Sequence, residues 1–470
     1  MKTYLILIGA FLLSLNRVYA QPQTLTLQEC LHRALEENKS LSSAKKTLEK
    51  TQFDMKTYKA NFFPQLNVVA LDLYSTVNGQ FTLDGGHLPI YNFDAATGKY
   101  VPNVTKQADG TVQLNQYADF PSQSMKLKLS NFFAGGLSVM EPLYSGGKIS
   151  TAYKMSKLGV NLATEKLRLT ESEVIQRTHE AYYLTLKAKE LAGVARSYKA
   201  LLDELKKNVE GAFRHGMSTR NDLMKVQVKL NEAEFSIQKA DNAHRLARMN
   251  LCHIVGFPLD KEIEVVEPAA DHAQPSLLAK GAEQGIELRP EYAMLNSKTE
   301  LARQQVKLTR SDYLPNVMAG AAVAYANGAE LGGKHLLDNT SVSVGVAVKI
   351  PIDLFGGATN KIRSAKTAYQ IAQLEQQDLN DQMRLELAQC QNLCEEAQTE
   401  LQLCEVALSQ AAENMRLSKQ QYEVGLESLA DYLETQALWQ QCSANLVNAR
   451  CQLQLAHVKL LKASGQLRGE

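Results

Sequence analysis

The sequence predicts a mixed α/β membrane protein that contains an internal duplication, with pairs of strands alternating with very long helical hairpins. Two observations lead to this prediction. Residues 358–422 contain neither proline nor glycine and consist mainly of strong helix formers. Landmarks of the first half of the chain also recur in the second half at nearly constant offsets.

The long run from residue 358 to residue 463 is interrupted by Gly425, and we interpret it as two helices folded back at one turn. Sixty-odd helical residues at about 1.5 Å each span roughly 95–100 Å, far more than the width of a domain. Such a helix must pair with others along its length. The return helix has the three- and four-residue steps of a coiled-coil seam. Its seam residues are Tyr432, Thr435, Trp439, Cys442, Leu446, Ala449, Leu453, Ala456, Leu460 and Ala463.

The duplication is visible in three pairs of landmarks. Pro64 and Pro315 are 251 residues apart, the two Gly-Gly turns at 146–147 and 356–357 are 210 apart, and Gly216 and Gly425 are 209 apart. The offset falls by 41 between the first two pairs, so the first half carries an insertion of that size. We place it at about 78–121, and its Asp-Gly and Thr-Gly turns and interleaved aromatic residues predict a loop.

The sequence also predicts two strands in each half of the chain. Residues 66–76 and 316–327 follow the two prolines, and residues 341–350 alternate strictly between apolar and polar or small side chains. Four strands cannot close a barrel, and an open sheet edge cannot lie in lipid. Either the sheet packs on another structure, or several chains pool their strands. Three chains would give twelve, within the usual range for barrels.

The first residues have the basic, apolar and small-residue regions of a secretory signal peptide, with cleavage predicted after Ala20. These features predict the following organisation: 1–20 signal peptide, 21–256 first repeat with a hairpin turning near 216, 257–274 linker, 275–465 second repeat with a hairpin turning near 425, and 466–470 tail.

Several function classes are disfavoured. The complete chain has 51 basic and 50 acidic residues, so it has no basic footprint for nucleic acid. No nucleophile, base and oxyanion site can be assembled, which predicts that the protein is not an enzyme. Residues 328–334 imitate a phosphate-binding loop, but His335 replaces the required Ser or Thr and the segment joins two strands. We expect no cofactor and no metal, and we interpret the seven cysteines mainly as packing residues.

Several motifs, weak alone but specific in their order and doubling, carry a resemblance to a known family. They are Leu25-Thr26-Leu27-Gln28-Glu29-Cys30-Leu31, Phe63-Pro64, Pro142-Leu143-Tyr144-Ser145-Gly146-Gly147, and the hairpin turns containing Gly216 and Gly425. With them the chain resembles the TolC-like outer-membrane efflux and secretion proteins over nearly its whole mature length. The resemblance implies a homotrimer with a twelve-stranded barrel, four strands per chain, that continues into a helical coiled-coil tunnel.

The resemblance also implies a location and partners. The protein would lie in the outer membrane of a Gram-negative bacterium and extend into the periplasm. It would dock onto a periplasmic adaptor, or membrane fusion, protein and an inner-membrane pump of the RND, ABC or MFS class. The alternative is a periplasmic coiled-coil adaptor or scaffold without a pore. An adaptor normally has one hairpin between compact β domains, whereas this sequence predicts two hairpins joined by strands.

The resemblance further assigns roles to residues at the hairpin turns. Gly216 and Gly425 mark the tips that would dock onto the adaptor. Asp431 and Glu434 match the acidic residues that form the channel constriction. For the closed state, the matching hydrogen-bond pair of the gate is Asp222 with Tyr422.

The chain departs from the family pattern at one of these turns. Glu427 lies two residues after Gly425, where some members of the family use arginine for a second lock. A purely structural alternative for Asp431 is that its carboxylate favours the positive end of its helix, a contribution of about 0.3–1 kcal/mol.

Overall fold

The structure is a computed structural model that describes residues 23–267 and 285–467. The predicted signal peptide, residues 268–274 of the predicted linker and residues 468–470 of the predicted tail lie outside the described residues. The chain divides into two compact units. A helical unit comprises the described parts of 1–56, 153–306 and 362–470, and a sheet unit comprises 57–152 and 307–361.

Seven α-helices lie within the described residues. They are α1 (Leu27–Glu37), α2 (Lys39–Ala60), α3 (Lys148–Arg214), α4 (Arg220–Ile254), α5 (Pro290–Ser311), α6 (Gly357–Glu423) and α7 (Leu429–Ala463). Helices α3 and α6 both have 67 residues, roughly 100 Å, and α4 and α7 both have 35. Each boundary of α3 and α4 recurs 209 residues later in α6 and α7. None of these helices combines the length and the apolar character that crossing a membrane requires.

The strands of the described residues range from 3 to 22 residues in length. They are β1 (Gln23–Leu25), β2 (Gln65–Leu73), β3 (Asn78–Leu83), β4 (Gly86–Pro89), β5 (Tyr91–Asp94), β6 (Lys99–Pro102), β7 (Val104–Lys106), β8 (Val112–Leu114), β9 (Tyr117–Phe120), β10 (Gln123–Tyr144), β11 (Ile263–Val265), β12 (Asn316–Leu331) and β13 (Lys334–Lys349).

The coiled-coil seam predicted for the return helix α7 is confirmed. All ten predicted seam residues are buried or half-buried. The facing helix α6 supplies a matching series, and Met383, Leu387, Cys394 and Ala397 form one apolar cluster with Leu453, Ala456, Leu460 and Ala463. Two long helices are therefore held together by small and medium apolar side chains at regular steps.

The helical unit also contains a small parallel pair of strands. β1 pairs with β11, from Gln23 opposite Ile263 to Leu25 opposite Val265. The fully buried side chain of Tyr182, on α3, reaches the end of β1 and the residue that follows β11. Its hydroxyl lies 3.2 Å from the carbonyl oxygen of Leu25 and 2.5 Å from that of Val266, where it donates its proton. A single hydroxyl therefore joins the start of the described chain to the segment that follows α4.

The sheet unit is built on one antiparallel sheet in the order β13-β12-β10-β2, with β3 also paired to β10. Strand β10 is long enough to contact β12 along one side and both β2 and β3 along the other. Strand β13 shows the predicted alternation. Its side chains Val342, Val344, Val346 and Val348 are 60–82% exposed. An apolar face of this kind is what a strand facing lipid presents.

The prediction that the insertion is a loop is wrong, although the path across the sheet is four strands wide. Residues 78–83 of the insertion form β3, so the sheet contains a fifth strand. The rest of the insertion folds into three further antiparallel pairs, β4 with β9, β5 with β6 and β7 with β8. The dense turn residues mark the ends of these short strands, and the strands between them are too short for a convincing alternation.

The Tyr182 contact can be tested by Tyr182→Phe. Losing the hydroxyl removes the donor of the part-buried Val266 carbonyl, while the Leu25 carbonyl still accepts from the Val266 N–H at 3.4 Å. The substitution should therefore lower the free energy of unfolding of the helical unit by about 1 kcal/mol. Thermal unfolding of the purified protein measures the loss. Tyr198→Phe is the matched control, since Tyr198 is also buried but its hydroxyl has no hydrogen-bond partner in the part of the chain described. Equal losses in both variants would contradict the role of the hydroxyl.

Candidate functional site at the hairpin tips

The two hairpins turn in the same way. Gly216 and Gly425 have φ of +72° and +78°, in the left-handed region that favours glycine. In the first turn the Met217 N–H donates to the Ala212 carbonyl at 2.8 Å, and in the second the Leu426 N–H donates to the Gln421 carbonyl at 2.8 Å. Each glycine N–H also donates to the carbonyl three residues earlier. Both long helices therefore end in a Schellman motif, and nothing lies within 4 Å of an added Cβ at either glycine.

The return helices begin with matching caps. The Thr219 hydroxyl accepts from the Asp222 N–H and donates to the Asp222 carboxylate at 2.7 Å. The Ser428 hydroxyl makes the same two contacts with Asp431. Hydrogen bonds from Thr219 hold the pKa of the Asp222 carboxylate below its ordinary value. A Ser or Thr three residues before an acid is a known helix-start pattern, so this spacing in the sequence is the signal that marks both caps.

The structure places Asp431 and Glu434 on the exposed side of α7. The residues that follow each of them, Tyr432 and Thr435, are buried. Glu434 also lines a groove of about 660 Å³ between α4 and α7, together with Met224, Val228 and other side chains. Asp431 is engaged in the cap described above. Glu434 makes no hydrogen bond or ion pair within the described residues. The two carboxylates thus share a face of α7 but differ in their contacts, since only Asp431 is fixed by hydrogen bonds.

The predicted gate pair is close but not bonded. In the described part of the chain no hydrogen bond joins Tyr422 to Asp222, whose carboxylate is occupied by Thr219 and lies 3.6 Å from the Lys225 ammonium. The Tyr422 ring instead stacks on Tyr432, with centroids 5.2 Å apart. Burial, with the nearby Asp222 carboxylate, raises the pKa of the Tyr422 hydroxyl.

Two polar contacts near the second tip were not predicted. The Lys419 ammonium on α6 lies 3.0 Å from the Glu204 carboxylate on α3, and this hydrogen bond raises the pKa of the Lys419 ammonium. The buried Ser418 hydroxyl donates to the Glu427 carboxylate at 2.7 Å, across the turn. Lys419 and Glu204 are 215 residues apart in sequence, so no local pattern could have paired them.

Both turns expose apolar side chains. Met217 is 77% exposed in the first turn and Leu426 is 81% exposed in the second. These two residues occupy equivalent positions, one after each glycine. Within the described residues, no group of three or more His, Cys, Asp or Glu side chains is placed to hold a metal ion. The tips are therefore suited to contact with another protein surface.

Comparison with known proteins agrees with the sequence resemblance. The family model described as "Outer membrane efflux protein" matches residues 30–256 and 283–466. The alkaline protease secretion protein AprF of Pseudomonas aeruginosa is 24% identical over 56% of this chain, and the match spans just over half (54%) of AprF. The outer membrane protein TolC of Vibrio cholerae is 22% identical over 72% of this chain and 78% of its own length.

Comparison with solved structures agrees with the family match. The crystal structure of the outer membrane protein VceC from Vibrio cholerae matches with a TM-score of 0.71 and 17% identity, and covers 93% of this chain and 96% of VceC. At that identity the likeness concerns the fold alone. The family model covers both halves of the chain, including each long hairpin and its turn. The chain therefore belongs to the outer membrane efflux protein family, and it is an outer-membrane protein of the TolC-like type.

Proposed function

We propose that this protein is the outer-membrane channel-tunnel of a tripartite efflux or type I secretion system. It would conduct substrate passively from an inner-membrane pump across the periplasm and the outer membrane. One observation carries the proposal. The same chain combines an antiparallel sheet with an exposed apolar strand face and two hairpins whose longer helices span roughly 100 Å. The names of its relatives, a protease secretion protein and TolC, support this reading.

The two open edges of the sheet support a homotrimer. Strands β13 and β2 are the outer members of the order β13-β12-β10-β2, and backbone groups on such edges cannot face lipid unpaired. The two edges run antiparallel to each other, so β13 of one copy can pair with β2 of the next. Three copies would close a barrel, with four wall strands from each chain across the membrane.

The helices support the same assembly. On α6 a second series of apolar side chains, on the side away from α7, is exposed in the single chain. Leu374, Leu385 and Leu403 are 59–65% exposed, and on α4 Phe235 is 69% exposed. Neighbouring copies would cover these side chains and complete a tunnel of twelve helices. We propose that the two repeats, 21–256 and 275–465, each supply one hairpin of this wall.

The tips would meet the periplasmic adaptor, through which the pump of the RND, ABC or MFS class is reached. Gly216 and Gly425 allow the tight turns, and Met217 and Leu426 present the apolar surface. We assign the constriction to Asp431 and Glu434. The gate contacts would be Tyr422, Asp222 and the Lys419–Glu204 ion pair, which joins the second hairpin to the first.

The rival function is a periplasmic adaptor or scaffold without a pore. Fractionation separates the two, because only the channel should be recovered from the outer membrane as trimers that boiling in detergent converts to monomers. Recovery of a monomer from the soluble periplasm would overturn the proposal. A soluble adaptor would also leave the valine face of β13 facing water, where such a face favours aggregation.

The docking role of the tips can be tested at Gly425. Gly425→Arg should abolish transport by the assembled system while the trimer content of the outer membrane stays unchanged. A left-handed arginine costs about 1–2 kcal/mol, too little to unfold a hairpin of this length. The control is Gly425→Asn, because asparagine tolerates the left-handed conformation and adds little bulk. If the trimer is lost together with transport, the glycine is a folding residue only.

The constriction can be tested by single-channel recording in lipid bilayers. Replacing Asp431 and Glu434 together by Ala should weaken block by multivalent cations at least about tenfold, or ~1.4 kcal/mol. The physical reason is that six carboxylates in a narrow opening attract cations. Glu434→Gln alone should weaken the block without disturbing the cap of α7. Glu396→Gln, exposed in the middle of α6, should leave the block unchanged. Unchanged block in the double variant would place the constriction elsewhere.

The same recordings test the gate. Lys419→Met removes the ion pair with Glu204 and should raise the resting conductance, since the second hairpin then moves more freely against the first. The double variant Lys419→Glu with Glu204→Lys should restore the low conductance, because it rebuilds the pair with exchanged charges. A double variant that conducts like Lys419→Met would show that the pair does not hold the closed state.

A further inference from the structure

Strand β3 continues the outer edge that β2 begins. Both pair with β10, β2 at Met140 to Phe132 and β3 at Lys128 to Gln123. The Leu129 N–H donates to the Val77 carbonyl between the two strands, so the ladder is nearly unbroken. On their other side β2 and β3 have no partner strand within the described residues. The same is true of the outer edge of β13.

The lengths of the two open edges differ unless β3 is counted. β13 has 16 residues, whereas β2 has 9. The 6 residues of β3 bring that edge to 9 + 6 = 15. The edges also run in opposite directions, because β2 and β3 are antiparallel to β10 and the order alternates to β13. An edge-to-edge contact between copies therefore matches along its whole length only when β3 takes part.

β3 has the character of a wall strand and not of a loop. Phe81 lies opposite Met125 on one face, while Gln80 on the other face donates a hydrogen bond to the Ser124 hydroxyl at 2.7 Å. This two-sided pattern ends at Gly85, where an added Cβ would lie 2.5 Å from the Ser122 nitrogen. The close approach of these two segments of one chain marks the place where the wall ends and the nested hairpins begin.

We propose that β3 is an intersubunit barrel-wall strand, whose free edge pairs with the first half of β13, residues 334–341, in a second copy of this chain. This inference rests on the trimeric channel proposed above and deepens it. The pairing extends the barrel wall past the end of β2 and forms a continuous collar from three chains. Between Gln123 and Lys126, β10 pairs with β3 alone, because its pairing with β12 begins at Leu127. A two-stranded ribbon is marginally stable in water, and the neighbouring β13 gives this part of the wall a third strand.

The experiment uses the full-length protein in its native outer membrane, with a photo-reactive p-benzoylphenylalanine at one position at a time. The test position is Phe81 on β3, which is 59% exposed and already aromatic. The barrel position is Val68 on β2. The control is Leu127 on β10, which lies between Gly79 of β3 and Leu331 of β12 of its own chain. Irradiation, denaturing gels and peptide mass spectrometry identify the crosslinked partner.

The proposal expects crosslinks between chains from Phe81 to residues 334–341, crosslinks between chains from Val68, and only crosslinks within one chain from Leu127. Crosslinks between chains from Val68 but none from Phe81 would overturn the collar and leave the channel standing. A Phe81 product on any other segment would also overturn the collar. Absence of products between chains at both Phe81 and Val68, with the protein present in the membrane, would overturn the trimeric barrel itself.

Discussion

The packing of antiparallel helices along regular seams is the constraint on which the helical unit depends. A 67-residue helix has no core of its own and is held only by what lies beside it. On α6 one series of residues at three- and four-residue steps is buried or half-buried over about 60 Å of helix. These residues are Met383, Leu387, Cys390, Cys394, Ala397, Leu401, Cys404, Leu408, Ala411, Met415, Ser418 and Tyr422. The small members let the helices approach closely, which suits a wall of many helices better than an isolated pair.

The ends of the return helices show how the two halves meet one requirement with different chemistry. The last carbonyl groups of a helix have no partner inside it. Asn38 donates to the Ile254 carbonyl at the end of α4, and the buried Arg289 lies 3.4 Å from the Ala463 carbonyl at the end of α7. Asn38 and Arg289 are 251 residues apart, the offset of the two prolines. Arg289 also pairs with Glu386 at 2.7 Å, so the second half replaces an amide by a charged network.

Local patterns in the sequence were enough to predict the hairpins, the seam of α7 and the turns, because each depends on residues close together in the chain. The contacts of Tyr182 and of Lys419 with Glu204 were not predictable, since they join residues 84 to 215 positions apart and leave no periodic trace. Strand β3 was missed for another reason. Its six residues lie among turn residues, and pairing with the long strand β10 decides their conformation.

Comparison of the two hairpins supports the candidate constriction at Asp431 and Glu434. Asp222 and Asp431 occupy equivalent positions and cap equivalent helices, so an acid at this position is explained by the helix alone. Three residues later the halves differ. The first hairpin has Lys225, 3.6 Å from Asp222, and the second has Glu434. The start of α4 thus carries one positive and one negative side chain, which neutralise each other. The start of α7 carries two carboxylates, and no cation is among their described contacts. Capping does not account for Glu434, and this difference supports our proposal that the constriction lies at the second hairpin.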